Sequence, residues 1–291
     1  PYHDSIKGGH GNVTVYQAIE ESSNVFFYKM GIALGVDKMY DYLSLLGIGI
    51  KTGIELAREV PGLMPNSAWK KAAIGEEWQG GENLSTAIGQ GFVVTTALQM
   101  AIAYNAIGTE GKVVKPFIIH KVVDQEGKTL HETFPKMLRD LTQIQGNGIK
   151  IDLKTFKIVK EGMRRVANGA KGTARYWKIP GVEMAGKTGT AQVMGFSADQ
   201  IYSSCMSRPV HQRHHGWYIA YAPAEKPEIT VAFLAEHSCH GNTGAAPVVR
   251  DVMETYFRKY HPGMIEAAIK AAIKNPKVVK VKEPAATTEG E

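Results

Sequence analysis

Val182-Glu183-Met184-Ala185-Gly186-Lys187-Thr188-Gly189-Thr190-Ala191-Gln192-Val193 reads as a β-strand whose apolar run is interrupted by a lysine, two hydroxyls and a glycine. Two further strand-like runs follow, at 217–222 and 229–236, each with Gly or Pro near its ends. A helix is expected from Pro247, a first-turn proline, with Val248, Val249, Val252, Met253, Tyr256 and Phe257 facing inward. A short helix over 263–274 comes after it. Upstream, apolar residues recur at three- and four-residue steps. They predict a helix over 14–35, begun by Thr14 and open to a break at 22–24, where Ser and Asn compete for backbone hydrogen bonds. Further helices are expected over 37–46, 95–107 and 152–167. Residues 53–81 read as irregular loop, and 116–123 with 128–132 as a hairpin around Gln125-Glu126-Gly127. Helices first, then a three-strand antiparallel meander, then a closing helix: this is one α+β domain with helices covering a sheet.

The chemistry sits at two places. Lys187, Thr188 and Thr190 form a cationic, hydrogen-bonding ledge on the first strand. Gly189 has no side chain, so a ligand backbone can lie close. The lysine and hydroxyls suit a carboxylate, and an outward strand N–H suits a developing oxyanion. Taken alone, the same residues also read as a solvated lysine beside a glycine bulge. Ser22-Ser23-Asn24, at the helix break, places a serine and an asparagine where both can face one pocket; taken alone, it reads as a helix cap.

Ser-x-Asn upstream and Lys-Thr-Gly downstream are, in this order, two of the three motifs shared by penicillin-binding proteins and class A β-lactamases. The stretches Glu20-Glu21-Ser22-Ser23-Asn24-Val25-Phe26-Phe27-Tyr28, Thr52-Gly53-Ile54-Glu55-Leu56, Ile88-Gly89-Gln90-Gly91 and His215-Gly216-Trp217-Tyr218-Ile219-Ala220-Tyr221-Ala222-Pro223 extend the likeness. Over residues 10–260 the chain resembles the penicillin-binding protein 2 family, elongation-specific class B transpeptidases. The aromatic pair Phe26-Phe27 followed by Tyr28 favours the elongation type. The resemblance implies a helical lobe plus a five-stranded antiparallel sheet, with the Lys-Thr-Gly strand at the cleft edge. It implies a peptidoglycan D,D-transpeptidase of cell-wall biosynthesis and cell shape, which uses no cofactor and is inhibited by β-lactams. Its substrate is the D-Ala-D-Ala end of a stem peptide. Ser22, Asn24 and Lys187 are then the expected catalytic residues, and Thr188, Gly189 and Thr190 the substrate-binding ones. The implied partner is a membrane-embedded glycan polymerase of the elongation machinery. The implied place is the periplasmic face of the bacterial inner membrane.

The sequence departs from the family in one important respect. The family's nucleophile lies in Ser-x-x-Lys upstream of Ser-x-Asn, and nothing before Ser22 fits. Ser67-Ala68-Trp69-Lys70 matches the pattern, but it falls after Ser22, in the expected loop. The nucleophile helix and the first two strands are therefore expected to precede Pro1, and the strand 229–236 is expected to show an unpaired edge. Thr95-Thr96-Ala97-Leu98 also lacks a proline that many relatives carry. Two rival readings remain: a β-lactamase of the same superfamily, and a non-catalytic module, either truncated or β-lactam-sensing.

The chain has 291 residues, 44% apolar and 21% charged, with a net charge of +6; this is ordinary globular composition. The basic residues are scattered apart from the run 277–282, so nucleic acid is not an expected partner. No stretch reaches the length of a membrane span. The transpeptidase domain is expected over 1–262, and a short helix and disordered tail over 263–291. Cys205 and Cys239 fit no metal spacing. In an antiparallel meander, the connection after the first strand and the end of the third strand lie at the same end. Cys205 and Cys239 occupy those places, and the family's compartment permits a disulfide; two separate thiols are the alternative. Some relatives bind zinc before the second motif with a cysteine at the position of Ser23. Here Asp4 and His10 would be the only ligands, so no metal is expected.

Overall fold

A computed structural model describes residues 3–4, 6–195 and 204–274. Helices α1 (Val15–Glu21), α2 (Asn24–Leu34) and α3 (Val36–Leu45) open the chain. Thr14 caps α1 through a reciprocal capping box with Gln17. The expected break is present: Ser22 ends α1 in the left-handed region and Ser23 caps α2, accepting from the Phe26 N–H. Helices α4 (Ser67–Ile74), α5 (Glu82–Ala87) and α6 (Ala97–Gly108) complete the lobe.

Helix α4 corrects the irregular-loop expectation for 53–81. Asn66 supplies the missed start signal, its Oδ1 accepting from the Trp69 N–H at 2.7 Å. Strands β1 (Lys112–Lys115), β2 (Lys121–Val123), β3 (Thr129–Glu132) and β4 (Lys136–Asp140) follow. The β2–β3 pair is the expected hairpin, and β1 pairs antiparallel with β4. Helix α7 (Leu153–Asn168) leads into β5 (Ala185–Ala191), β6 (His215–Ala222) and β7 (Ile229–Ala235). Helices α8 (Ala246–Tyr260) and α9 (Pro262–Lys274) close the described chain. The tail beyond 274, with its lysine run, lies outside the described residues.

The sheet is antiparallel in the order β5-β6-β7, with Lys187 opposite Ile219 and Thr190 opposite Gly216. Central β6 is buried from Tyr218 through Ala222. It is covered on both faces, which is why it reads as a continuous apolar run rather than an alternating one. Among the described residues, β7 pairs only with β6. The main core joins the sheet to α7, α8 and α9 through Met163, Val166, Met184, Val249, Met253, Phe257 and Ile265. Of the six α8 residues expected to face inward, Val249, Met253 and Phe257 are fully buried, while Val248 and Val252 are 36% and 45% exposed. The apolar stripe of α8 is thus narrower than its valines suggest, one residue every four. Where α7 crosses α1, a Cβ on Gly162 would lie 2.6 Å from Ile19 Cδ1, so this crossing requires glycine. Cys205 and Cys239 form a disulfide, with Cα atoms 5.7 Å apart. It ties the β5–β6 connection to the end of β7.

Candidate active site

The site begins at the junction of α1 and α2. Ser22 adopts φ 60° and ψ 50°, a conformation that costs a non-glycine residue about 1–2 kcal/mol and lifts its side chain out of the helix path. The turn is anchored from behind. The carboxylate of Asp4, buried at 6% exposure, accepts from the Ser23 hydroxyl at 3.2 Å and the Val25 N–H at 3.2 Å. His10 Nδ1 lies 3.3 Å from the same carboxylate. Burial pushes the Asp4 pKa up; the Val25 N–H, His10 and the Ser23 hydroxyl outweigh it, so Asp4 sits below the ordinary 3.8. Buried Glu20, near the end of α1, accepts from the Lys171 N–H at 3.1 Å. This ties the junction to the segment after α7.

Strand β5 faces this junction. Lys187 Nζ donates to Ser22 Oγ at 2.6 Å and to the Thr188 carbonyl at 2.9 Å. Burial of the ammonium lowers its pKa to about 8. Thr188 and Thr173 share a hydroxyl hydrogen bond of 2.7 Å, so Thr173 also belongs to the cleft. A Cβ at Gly189 would lie 3.3 Å from that of Trp217. Asn24 opens α2 beside Ser22. The structure thus brings Ser22 onto the Lys187 end of the ledge, with Asn24 in the same turn as Ser22. Thr173 was missed because a lone threonine after a helix end gives no periodic signal.

Ser67-Ala68-Trp69-Lys70 is not in a loop, as expected, but on the first turn of α4. It is not a second catalytic pair. Ser67 Oγ donates to the Asp37 carboxylate at 2.8 Å, while Lys70 donates to Glu82 at 2.7 Å. The Glu82 hydrogen bond raises the Lys70 pKa. A lysine held as a cation on a carboxylate is a structural tie, the opposite of a base.

The zinc that the resemblance implies for some relatives does not fit. The Ser23 hydroxyl already donates to Asp4, and two ligating residues do not close a tetrahedral site. Among the described residues, no group of three or more His, Cys, Asp or Glu is arranged to hold a metal. Nor is any helix among them long and apolar enough to cross a membrane.

Residues 2–254 match the family described as "Penicillin binding protein transpeptidase domain". The chain is 33% identical over 257 residues to the peptidoglycan D,D-transpeptidase MrdA of Salmonella typhimurium, covering 88% of this chain and 40% of the relative. In solved structures it resembles PBP2 of Helicobacter pylori in its complex with MreC, with TM-score 0.73 and 29% identity over 89% of this chain and 43% of that one. It also resembles Pseudomonas aeruginosa PBP2 in complex with WCK 5153, again with TM-score 0.73, 29% identity and 89% of this chain, and 52% of that chain. The chain spans about two fifths of the length of the curated relatives it matches.

Proposed function

The chain belongs to the penicillin-binding protein transpeptidase family, and from that premise we propose that it supplies one wall and the sheet edge of the catalytic cleft of a peptidoglycan D,D-transpeptidase. The observation that carries this reading is the 2.6 Å contact between Lys187 and Ser22, which joins the two family motifs into one polar site.

In this reading a serine from the family's Ser-x-x-Lys, N-terminal to Ser22, gives its proton to the motif lysine. It then attacks the penultimate D-Ala carbonyl of a stem peptide. The charge that develops on the carbonyl oxygen is met by backbone N–H groups, one of them from Thr190. Lys187 supplies positive charge, and the Thr188 and Thr190 hydroxyls hold the terminal carboxylate. Gly189 keeps this part of β5 free of side-chain bulk beside Trp217. Ser22, bonded to Lys187, lies in the proton network, and Asn24 holds the donor peptide. The C–N bond breaks and terminal D-Ala leaves with a proton on its nitrogen. An acceptor amine from a neighbouring stem peptide then attacks the acyl-enzyme ester, forming the cross-link and releasing the serine. β-Lactams would acylate the same serine.

The similarity to MrdA and PBP2 supports a role in the elongation machinery, beside a glycan polymerase at the periplasmic face of the inner membrane. The test is a form of the protein extended to include Ser-x-x-Lys, given a D-Ala-D-Ala stem peptide and an acceptor amine. Release of D-Ala with formation of the amide-linked dimer is expected. Rapid turnover of a chromogenic β-lactam without dimer formation would identify a β-lactamase instead. Absence of both reactions would favour a non-catalytic module.

A further inference from the structure

Strand β5 has one side paired with β6 and the other turned toward the cleft. In an antiparallel pair, residues alternate between directing both backbone groups at the partner and directing both away. The bonds of β5 show which residues face away. The Thr188 carbonyl accepts from Lys187 Nζ. The Thr190 carbonyl accepts from Gln90 Nε2 at 2.8 Å, and the Gln192 N–H donates to Gln90 Oε1 at 3.4 Å. One side-chain amide thus imitates a strand backbone, donating to one residue of the edge and accepting from the next outward one.

The segment carrying Gln90 is shaped for this. Gly89 and Gly91 both lie in the left-handed region, at φ 75° and 70°, where glycine is strongly favoured. The N–H groups of Gly89 and Gln90 return to the Thr86 and Ser85 carbonyls. A Cβ on Gly91 would lie 3.0 Å from Ser85 Oγ. The turn behind α5 therefore delivers one side chain from the helical lobe to a strand 100 residues away.

We propose that Gln90 is a positioning residue for acyl transfer. Its amide clips the outer edge of β5 at Thr190 and Gln192, fixing the strand end whose Thr190 N–H faces the reacting carbonyl. It also closes the edge beyond Thr190, so that a peptide pairs along Thr188–Thr190 and goes no further. This role rests on the function proposed above; the clip itself does not.

Two measurements separate them. On the present chain, amide hydrogen exchange is read residue by residue. Gln90→Met fills the same space without the bonds, and it should speed exchange at Gln192 at least tenfold. Lys187, Gly189 and Ala191, which face β6, should stay protected. On the form extended to include Ser-x-x-Lys, benzylpenicillin acylation is resolved into affinity and rate. Gln90→Met should lower the acylation rate by about tenfold or more, with affinity nearly unchanged and melting temperature held. Gln90→Glu can accept from Gln192 but places an oxygen against the Thr190 carbonyl, so it should be no better than Gln90→Met. Unchanged exchange at Gln192 would overturn the clip. Faster exchange with an unchanged acylation rate would reduce the clip to a structural contact and overturn the proposed role. If the unsubstituted extended form does not react with benzylpenicillin, the function reading falls, and the role of Gln90 with it, whatever the exchange shows.

Discussion

The Lys187 ammonium donates to the Ser22 hydroxyl at 2.6 Å, joining residues 165 positions apart. Because burial brings the Lys187 pKa down to about 8, the cation is lost at lower pH than for an exposed lysine. The protonated form, present below about pH 8, is the one that holds a carboxylate. Acylation of the extended form by a β-lactam should therefore decline as pH rises through about 8. Lys187→Arg keeps its charge at all these pH values. It should react more slowly, because its fork does not fit the same space, but without that decline. Identical alkaline limbs in the two proteins would show that Lys187 is not the titrating group.

Asp4 holds the Ser22–Asn24 turn by hydrogen bonds from the Ser23 hydroxyl and the Val25 N–H. Asp4→Ala leaves the Val25 N–H and the Ser23 hydroxyl without their acceptor and should cost about 1–3 kcal/mol of stability. Its folded pKa lies below 3.8, so the unfolded state binds the proton more readily. The stabilisation is full above that value and is lost as pH falls through the folded pKa. Thermal melts from pH 6 to pH 2 should therefore converge for the wild type and Asp4→Ala at the acid end. Chelation should leave the melting temperature unchanged, and metal analysis of the purified protein should find no stoichiometric zinc. Stoichiometric zinc lost together with stability on chelation would contradict this.

The Cys205–Cys239 bridge closes a span of 34 residues that includes all of β6. Chain-entropy arguments give such a loop about 3–4 kcal/mol, as an upper figure. Cys239→Ser should lower the melting temperature by several degrees, and a thiol reductant should do the same to the wild type. Labelling of two free thiols in the untreated folded protein would show that the bridge is not formed.

The site's main axis was legible in the sequence because chemistry and pattern coincided there. Lys187-Thr188-Gly189-Thr190 interrupts an apolar strand, and Ser22-Ser23-Asn24 interrupts a helical periodicity. Helix α4 was hidden because its two turns lie among Gly and Pro, and because its start depends on Asn66 and on the distant Asp37. Gln90 and Thr173 were hidden for a different reason. Gln90 acts through two hydrogen bonds and Thr173 through one, all to residues outside their own segments, and no local spacing encodes such bonds. The exposed valines of α8 erred the other way: an apolar residue at the right step can still face solvent.

Fluorescent penicillin labelling, compared between the extended form and its Lys187→Ala variant, tests whether β5 serves the acylated serine. Covalent labelling of the serine of Ser-x-x-Lys is expected. Lys187→Ala should slow it about 10²–10³-fold, and residues 1–291 alone should not be labelled. Equal labelling with and without Lys187, or an adduct on Ser67 of the 1–291 chain located by mass spectrometry, would contradict this.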